Sequence, residues 1–264
     1  MMNKREFLAL LGASPLALQL GISEALAQGE DIEQVVFALS GDIRNFNINI
    51  QNDPAWFPST LYYERLTAMD YGPDFKIRPL LARSWDVSED GLTYTFHLNE
   101  GVTWHDGVPF TSRDVKYTFE AIVAENTYSA PPLRKISSIE VPDDLTVVIT
   151  LGAPSASFLA NISTYPRFAI LPAHLYEGIP WTGHPNNLSP IGTGPYKFEQ
   201  HQQGEYISFI RNDDYWGQRP NVQRVIYRVV PDTNVQIALL QSGEVQALDS
   251  PPSLAMEEVL NGSP

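Results

Sequence analysis

The chain is predicted to be a mixed α/β fold that includes a strand-rich module from about Asp74 to Leu151. Three observations carry this. Tyr94, Phe96 and Leu98 alternate with Thr93, Thr95 and His97, the period-two pattern of a half-buried strand. Thr111 stands where a helix cap is needed, with Asp114 three residues on and Val115, Phe119 and Ile122 on one helical face. Near the other end, the strand Val225–Val230 is followed by a helix capped by Thr233 and running to about Ser242. Gly243 stands at its left-handed stop.

The elements follow in order. Residues 1–27 form a targeting segment: Lys4-Arg5 supplies the positive start, Phe7–Ile22 the apolar run, and Ala25-Leu26-Ala27 the cleavage site before Gln28. The run falls short of the roughly 20 predominantly apolar residues a membrane span needs, and Gly12, Ser14, Pro15 and Gln19 interrupt it. Lys4-Arg5 also resembles a weakened twin-arginine signal, so the Sec and Tat routes both stay open. Gln34–Leu39 reads as a buried strand opening at Ser40-Gly41, and Leu61–Leu66 as a helix. A hairpin turns at Ser88–Gly91 ahead of the Thr111 helix. Ile136–Val141 and Leu145–Leu151 pair around Pro142-Asp143-Asp144. Ala156–Ile162 is a short helix and Phe168–Leu171 a buried strand. Trp181–Pro190, rich in Pro, Gly and Asn, is a loop. Strands Lys197–His201 and Tyr206–Arg211 flank the turn Gln202-Gln203-Gly204. On the Thr233 helix, Val235, Ala238 and Leu239 are expected to face inward.

Composition narrows the partners. A formal net charge of −14 without a basic run argues against nucleic acid or an anionic membrane surface. The chain has no cysteine, so an exported form holds no disulfide and no cysteine for lipid anchoring. Burial must then supply the stability, and the length allows one large or two modest domains.

Two motifs say more. Leu81–Ala121 carries Leu81, Ala82, Ser84, Trp85, Asp90, Gly91, Tyr94, Phe96, Leu98, Gly101, Trp104, His105, Asp106, Gly107, Pro109, Thr111, Asp114 and Val115 at fixed spacing. Ile191–Phe198 reads IGTGPYKF, and Asn212, Tyr215, Trp216 and Gly217 follow in an RN-x-x-YW-G pattern. These strings resemble those of the family 5 extracytoplasmic solute-binding proteins of ABC importers, whose members take peptides, opines or nickel complexes. Gln246 departs from the family's GEVD strand, where an Asp is usual.

The resemblance implies an α/β lobe of the second periplasmic-binding type with an inserted strand-rich α+β domain. Residues 28–44 and 167–264 would form the main lobe and 45–166 the insertion, with a second lobe missing beyond Pro252. It implies a periplasmic monomer that captures a peptide or similar small polar solute and hands it to importer permease subunits, with no cofactor. It also implies that this chain alone binds solute weakly or not at all. A secreted glycosidase-like hydrolase and a non-transport docking module remain as alternatives, and the solute class (peptide, opine, sugar or metal chelate) stays open.

Candidate site residues come from two loops. Ser40, Gly41, Arg44, Asn45, Phe46 and Asn47 leave the first strand at its carboxyl end, where open α/β sheets bind ligands. Gly41 permits close backbone approach, Asn45 and Asn47 offer amides, and Arg44 suits a carboxylate. Trp56 and Phe57, beside Asp53-Pro54, are candidates for exposed ligand-facing aromatics. The enzyme-like string Trp104-His105-Asp106-Gly107 lacks a nucleophile motif and is expected to be a turn bonded to backbone. The five histidines show no metal-binding spacing.

Overall fold

A computed structural model describes residues 31–50, 55, 57–70, 74–164 and 166–249. In chain order the elements are β1 (Ile32–Leu39), α1 (Ser59–Tyr62), β2 (Thr67–Met69), β3 (Ile77–Pro79), β4 (Ala82–Val87), β5 (Thr93–Leu98), α2 (Ser112–Ala124) and α3 (Ala130–Leu133). Then come β6 (Ile136–Asp143), β7 (Thr146–Leu151), α4 (Phe158–Ser163), α5 (Ala173–Tyr176), β8 (Tyr196–Gln202), β9 (Tyr206–Arg211), β10 (Val222–Val229), α6 (Thr233–Ser242) and β11 (Ala247–Leu248). They pack as two compact units, one ending at Ile43 and resuming at Pro195, the other Arg44–Gly194.

The discontinuous unit is built on one sheet of order β11-β1-β10-β9-β8. β1 runs parallel to both β10 and β11, while β10, β9 and β8 are antiparallel. A strand flanked by two parallel neighbours is apolar on both faces, and Phe37, Ala38 and Leu39 of β1 are buried accordingly. Phe37 stacks on Tyr227 of β10 with ring centroids 5.0 Å apart. α6 returns the chain from β10 to β11, and Ile237 and Leu239 pack against Ala38, Val245 and Leu248.

The expected details of α6 need two corrections. Its cap is Asp232, not Thr233: the Asp232 carboxylate accepts the N–H groups of Asn234 at 2.8 Å and Val235 at 3.0 Å. Val235 and Ala238 are exposed, and the inward face is Gln236, Ile237 and Leu239. Gln236 is turned inward by its amide, which donates to the Val230 carbonyl at 2.6 Å. Gly243 ends the helix at φ +78°, as the sequence predicts.

The continuous unit holds a four-stranded antiparallel sheet, β4-β5-β7-β6, and the small hairpin β2-β3. The alternation in β5 is realised: Tyr94, Phe96 and Leu98 are buried, as are Val147, Ile149 and Leu151 of the paired strand β7. Thr111 and Asp114 form a reciprocal capping box at the start of α2. Gly91 sits at φ +68° in the β4–β5 turn. The β6–β7 turn is shorter than expected, because β6 continues through Asp143, which pairs with Thr146. Pro142 is tolerated because β6 is an edge strand whose register shifts between Glu140 and Asp143.

Two further expectations fail for one reason. Leu61–Leu66 is helical only through Tyr62, and Phe168–Leu171 is buried but joins no sheet. In each, tertiary partners replace the regular ladder. The carbonyls of Tyr62, Glu64, Arg65 and Leu66 accept from Gly194, Ile170, Leu81 and Ala82 respectively. Leu171 donates to the Thr118 hydroxyl at 2.9 Å, and Asn49 donates to the Ala169 carbonyl at 2.8 Å. These contacts bind 168–171 to the continuous unit, which by packing runs Arg44–Gly194.

Candidate functional site

β1, β10 and β11 run parallel and end side by side, Leu39 opposite Val229 and Ala38 opposite Leu248. The loop leaving β1 is tied down on its own unit. Ser40 donates its N–H at 2.9 Å and its hydroxyl at 2.6 Å to Oδ2 of Asp249, the residue that follows β11. Asp249 in turn donates its N–H to the Ala38 carbonyl at 3.0 Å. Gly41 is half-buried beside them. Asp42 closes the loop: Oδ1 meets His201 Nε2 and the Ile43 N–H, each at 2.8 Å, and Oδ2 accepts the Gly204 N–H at 2.8 Å.

The other candidates belong to the continuous unit. Arg44 is exposed. Asn45 Oδ1 accepts the Asn47 N–H at 2.8 Å, and Asn47 Oδ1 accepts the Asn49 N–H at 3.1 Å, two successive Asx turns that fold the segment on itself. Asn47 is fully buried and its Nδ2 has no hydrogen-bond acceptor. Phe46 is a core residue: its ring meets Tyr62 edge-on at 5.9 Å and its N–H donates to the Asn187 carbonyl at 2.7 Å. Phe57 is buried as well, contrary to its expected exposure, and Trp56 lies outside the described residues.

Asp249 was missed by sequence reasoning. Its only signal is an acidic residue directly after an apolar strand, a pattern too common to stand out without the pairing of β1 with β11.

The enzyme-like string becomes structural. His105 and Asp106 do not face each other as a catalytic pair. The His105 N–H donates to the Gly192 carbonyl at 2.8 Å, its Nδ1 accepts the Gly192 N–H at 3.2 Å, and its Nε2 donates to the Gly194 carbonyl at 2.9 Å. An imidazole that accepts at Nδ1 and donates at Nε2 is neutral, with its tautomer set by these partners. Asp106 instead contacts His174 Nε2 at 2.8 Å and accepts the Val108 N–H at 3.2 Å. Gly107 turns the chain at φ +88°. The Gly192-Thr193-Gly194 segment is equally committed. A Cβ on Gly192 would lie 1.6 Å from the Tyr62 carbonyl oxygen, and one on Gly194 2.5 Å from that of Leu61. Thr193 donates to the buried carboxylate of Glu64 at 2.9 Å.

Asp114 is a second buried carboxylate with a structural task. Oδ2 accepts the Thr111 N–H at 2.8 Å and Oδ1 the Ala173 N–H at 2.9 Å, so one side chain caps α2 and holds the start of α5. Burial raises its pKa above the ordinary value, and the two backbone donors oppose that rise. His184 stacks on Tyr176 with centroids 4.0 Å apart and donates Nε2 to the Leu175 carbonyl. Among the described residues no cluster of three or more His, Cys, Asp or Glu side chains is arranged to hold a metal, and no helix is long and apolar enough to cross a membrane.

Comparison with known proteins gives one consistent answer. The model of the bacterial extracellular solute-binding proteins, family 5, middle region, matches residues 76–262. The dipeptide-binding protein of Escherichia coli is 32% identical over 263 residues, covering 89% of this chain and 48% of the relative. NikZ from Campylobacter jejuni, solved in complex with Ni(L-His), superposes with a TM-score of 0.78 at 31% identity over 87% of this chain and 45% of its own. DppA from Helicobacter pylori, solved in complex with the peptide STSA, gives 0.78 at 29% identity over 92% and 51%. The chain thus spans about half the length of each of these relatives.

Proposed function

Because the chain belongs to family 5 of the bacterial extracellular solute-binding proteins, we propose that it captures a small polar solute, a peptide foremost, for delivery to the permease of an ABC importer. The likeness to dipeptide-binding and peptide-loaded relatives over most of the chain carries this reading. The loop at the carboxyl end of β1, with Ser40 and Gly41, is the place for ligand contact.

The family is one of transport proteins. In this chain the reading is of capture without covalent chemistry or cofactor. His105 and Asp106, the residues nearest to a dyad in sequence, are bonded to backbone and to His174, which supports it. Burial of solute would exclude water and strengthen each polar contact. Export to the periplasm by cleavage after Ala27, through the Sec or Tat route, fits the first residues of the sequence.

Uptake of a labelled dipeptide by cells with and without the gene tests this function. Loss of uptake on deletion, restored by the gene in trans, is the expected result. Undiminished uptake of peptides together with lost uptake of a sugar or metal chelate would replace the peptide by that solute.

A further inference from the structure

The two edges of the sheet β4-β5-β7-β6 are finished differently. β6 carries Pro142 and two register shifts against β7, devices that keep a strand edge from pairing further. β4 has one shift, at its start between Ala82 and Ser84, and no proline. Ser88 donates its N–H to the Thr93 carbonyl at 2.9 Å, while Leu98 donates to Leu145 at 2.8 Å on the other side of β5. By the alternation of an antiparallel ladder, Ser84 and Asp86 turn their backbone groups to β5, and Trp85 and Val87 turn theirs outward. Among the described residues nothing pairs with those outward groups. Val87 is 46% exposed. Trp85 lies opposite the fully buried Phe96 on the core face, yet is itself only half-buried.

We infer that the β4 edge is a self-association surface whose occupant is β4 of a second copy, antiparallel about a two-fold axis at Trp85. It is independent of the solute-capture reading. Outward groups must meet outward groups, and in this register Trp85 faces Trp85 and exchanges two N–H to carbonyl bonds. Ser84 of each copy lies opposite Asp86 of the other, hydroxyl to carboxylate, and Arg83 stands one residue away with the opposite charge. The axis repeats this arrangement, so the contact is isologous and locally neutral, with aromatic rings at its centre. The neighbouring register would oppose Asp86 to Asp86. Arg83 now donates to the Leu98 carbonyl at 3.0 Å and lies 3.6 Å from Glu100, and Asp86 meets His97 at 3.0 Å. Arg83, Glu100 and Asp86 are exposed, so little is lost when these pairs rearrange. The formal charge of −14 on each chain opposes association, and six residues of each copy make a small interface, so the dimer is weak.

Sedimentation equilibrium and amide hydrogen exchange of the purified chain, over a concentration series reaching about 1 mM, test this. The expected result is a monomer–dimer equilibrium in which the Trp85 and Val87 amides gain protection as concentration rises. Val87→Pro removes an outward N–H without touching the β5 ladder, and should abolish the dimer with the melting temperature within a few degrees. Asp86→Arg sets two cations side by side at each end of the contact and should weaken dimerisation about tenfold or more. Arg83→Asp sets two carboxylates there and should do the same. The double variant Arg83→Asp/Asp86→Arg restores the complement and should recover the dimer, and the two single variants, mixed, should pair with each other. If Val87→Pro unfolds the chain, the charge exchange decides alone. A chain that stays monomeric at every concentration overturns the inference. So does a dimer that survives in folded Val87→Pro, one that neither single charge variant weakens, or one that the double variant fails to recover.

Discussion

His105 and Gly192 hold each other through two hydrogen bonds, N–H to carbonyl at 2.8 Å one way and N–H to imidazole Nδ1 at 3.2 Å the other. They belong to the two most diagnostic strings of the sequence, and the contact explains why the residues in each are so specific. Imidazole supplies an acceptor and, through Nε2, a donor for Gly194. Glycine at 192 and 194 lets the strap lie directly on the backbone of Leu61 and Tyr62.

Gly192→Ala therefore destabilises far more than an ordinary glycine substitution. Its Cβ would lie 1.6 Å from the Tyr62 carbonyl oxygen, and that backbone cannot retreat because Tyr62 also holds the Gly194 N–H at 3.1 Å. A loss of about 3 kcal/mol or more is expected in urea unfolding. Gly204→Ala, at φ +76° with nothing within 4 Å, should cost only about 1–2 kcal/mol through its left-handed backbone. Equal losses would mean that the close crossing is not what selects glycine at 192.

Double-mutant cycles separate the structural reading of the His-Asp string from a catalytic one. Asp106 and His174 are in contact at 2.8 Å and should couple by about 0.5 kcal/mol or more. His105 and Asp106 serve different partners and should be nearly additive, within about 0.5 kcal/mol. Strong coupling between the neighbours with none to His174 would restore the dyad.

What was legible in the sequence follows the range of the forces involved. The β4–β5 hairpin, the Thr111–Asp114 capping box and the Gly243 stop are local, set by period-two burial, a cap and a positive φ, and all were readable. Leu61–Leu66 and Phe168–Leu171 were misread because their backbone groups are taken by residues such as Gly194, Asn49 and Thr118, which no local window contains. The site was legible to a lesser degree. Proximity to a strand's carboxyl end picked out Ser40, while Phe46 and Phe57 looked available and are buried in the core. Asp249 depends on the pairing of β11 with β1, which is long-range and left no local mark.

The cap of α6 gives a simple discrimination. Asp232→Ala removes the acceptor of the Asn234 and Val235 N–H groups and should cost about 0.5–2 kcal/mol. Thr233→Ala should be close to neutral. The reverse order, measured by thermal unfolding, would return the cap to Thr233.

Glu199 sets a pH dependence. Arg224 meets it through Nε at 2.9 Å and Nη2 at 2.7 Å, and this pairing holds the Glu199 carboxyl below its ordinary pKa, with burial opposing. A carboxylate depressed in the folded state stabilises above its unfolded value, near 4.5, and that stability is lost as pH falls through the folded value. Both side chains are partly exposed, so the contribution is about 0.2–1 kcal/mol and is weakened by salt. Glu199→Gln should flatten the melting curve against pH below about 4.5. An unchanged acid limb in that variant would remove Glu199 from the account.

Capture without turnover is tested most directly by saturating the chain with an isotope-labelled dipeptide and identifying the recovered solute by mass. The account predicts weak binding or none by this chain alone, and in either case the dipeptide recovered intact after prolonged incubation. Time-dependent conversion of the dipeptide, lost on substitution of His105 or Asp106, would contradict it.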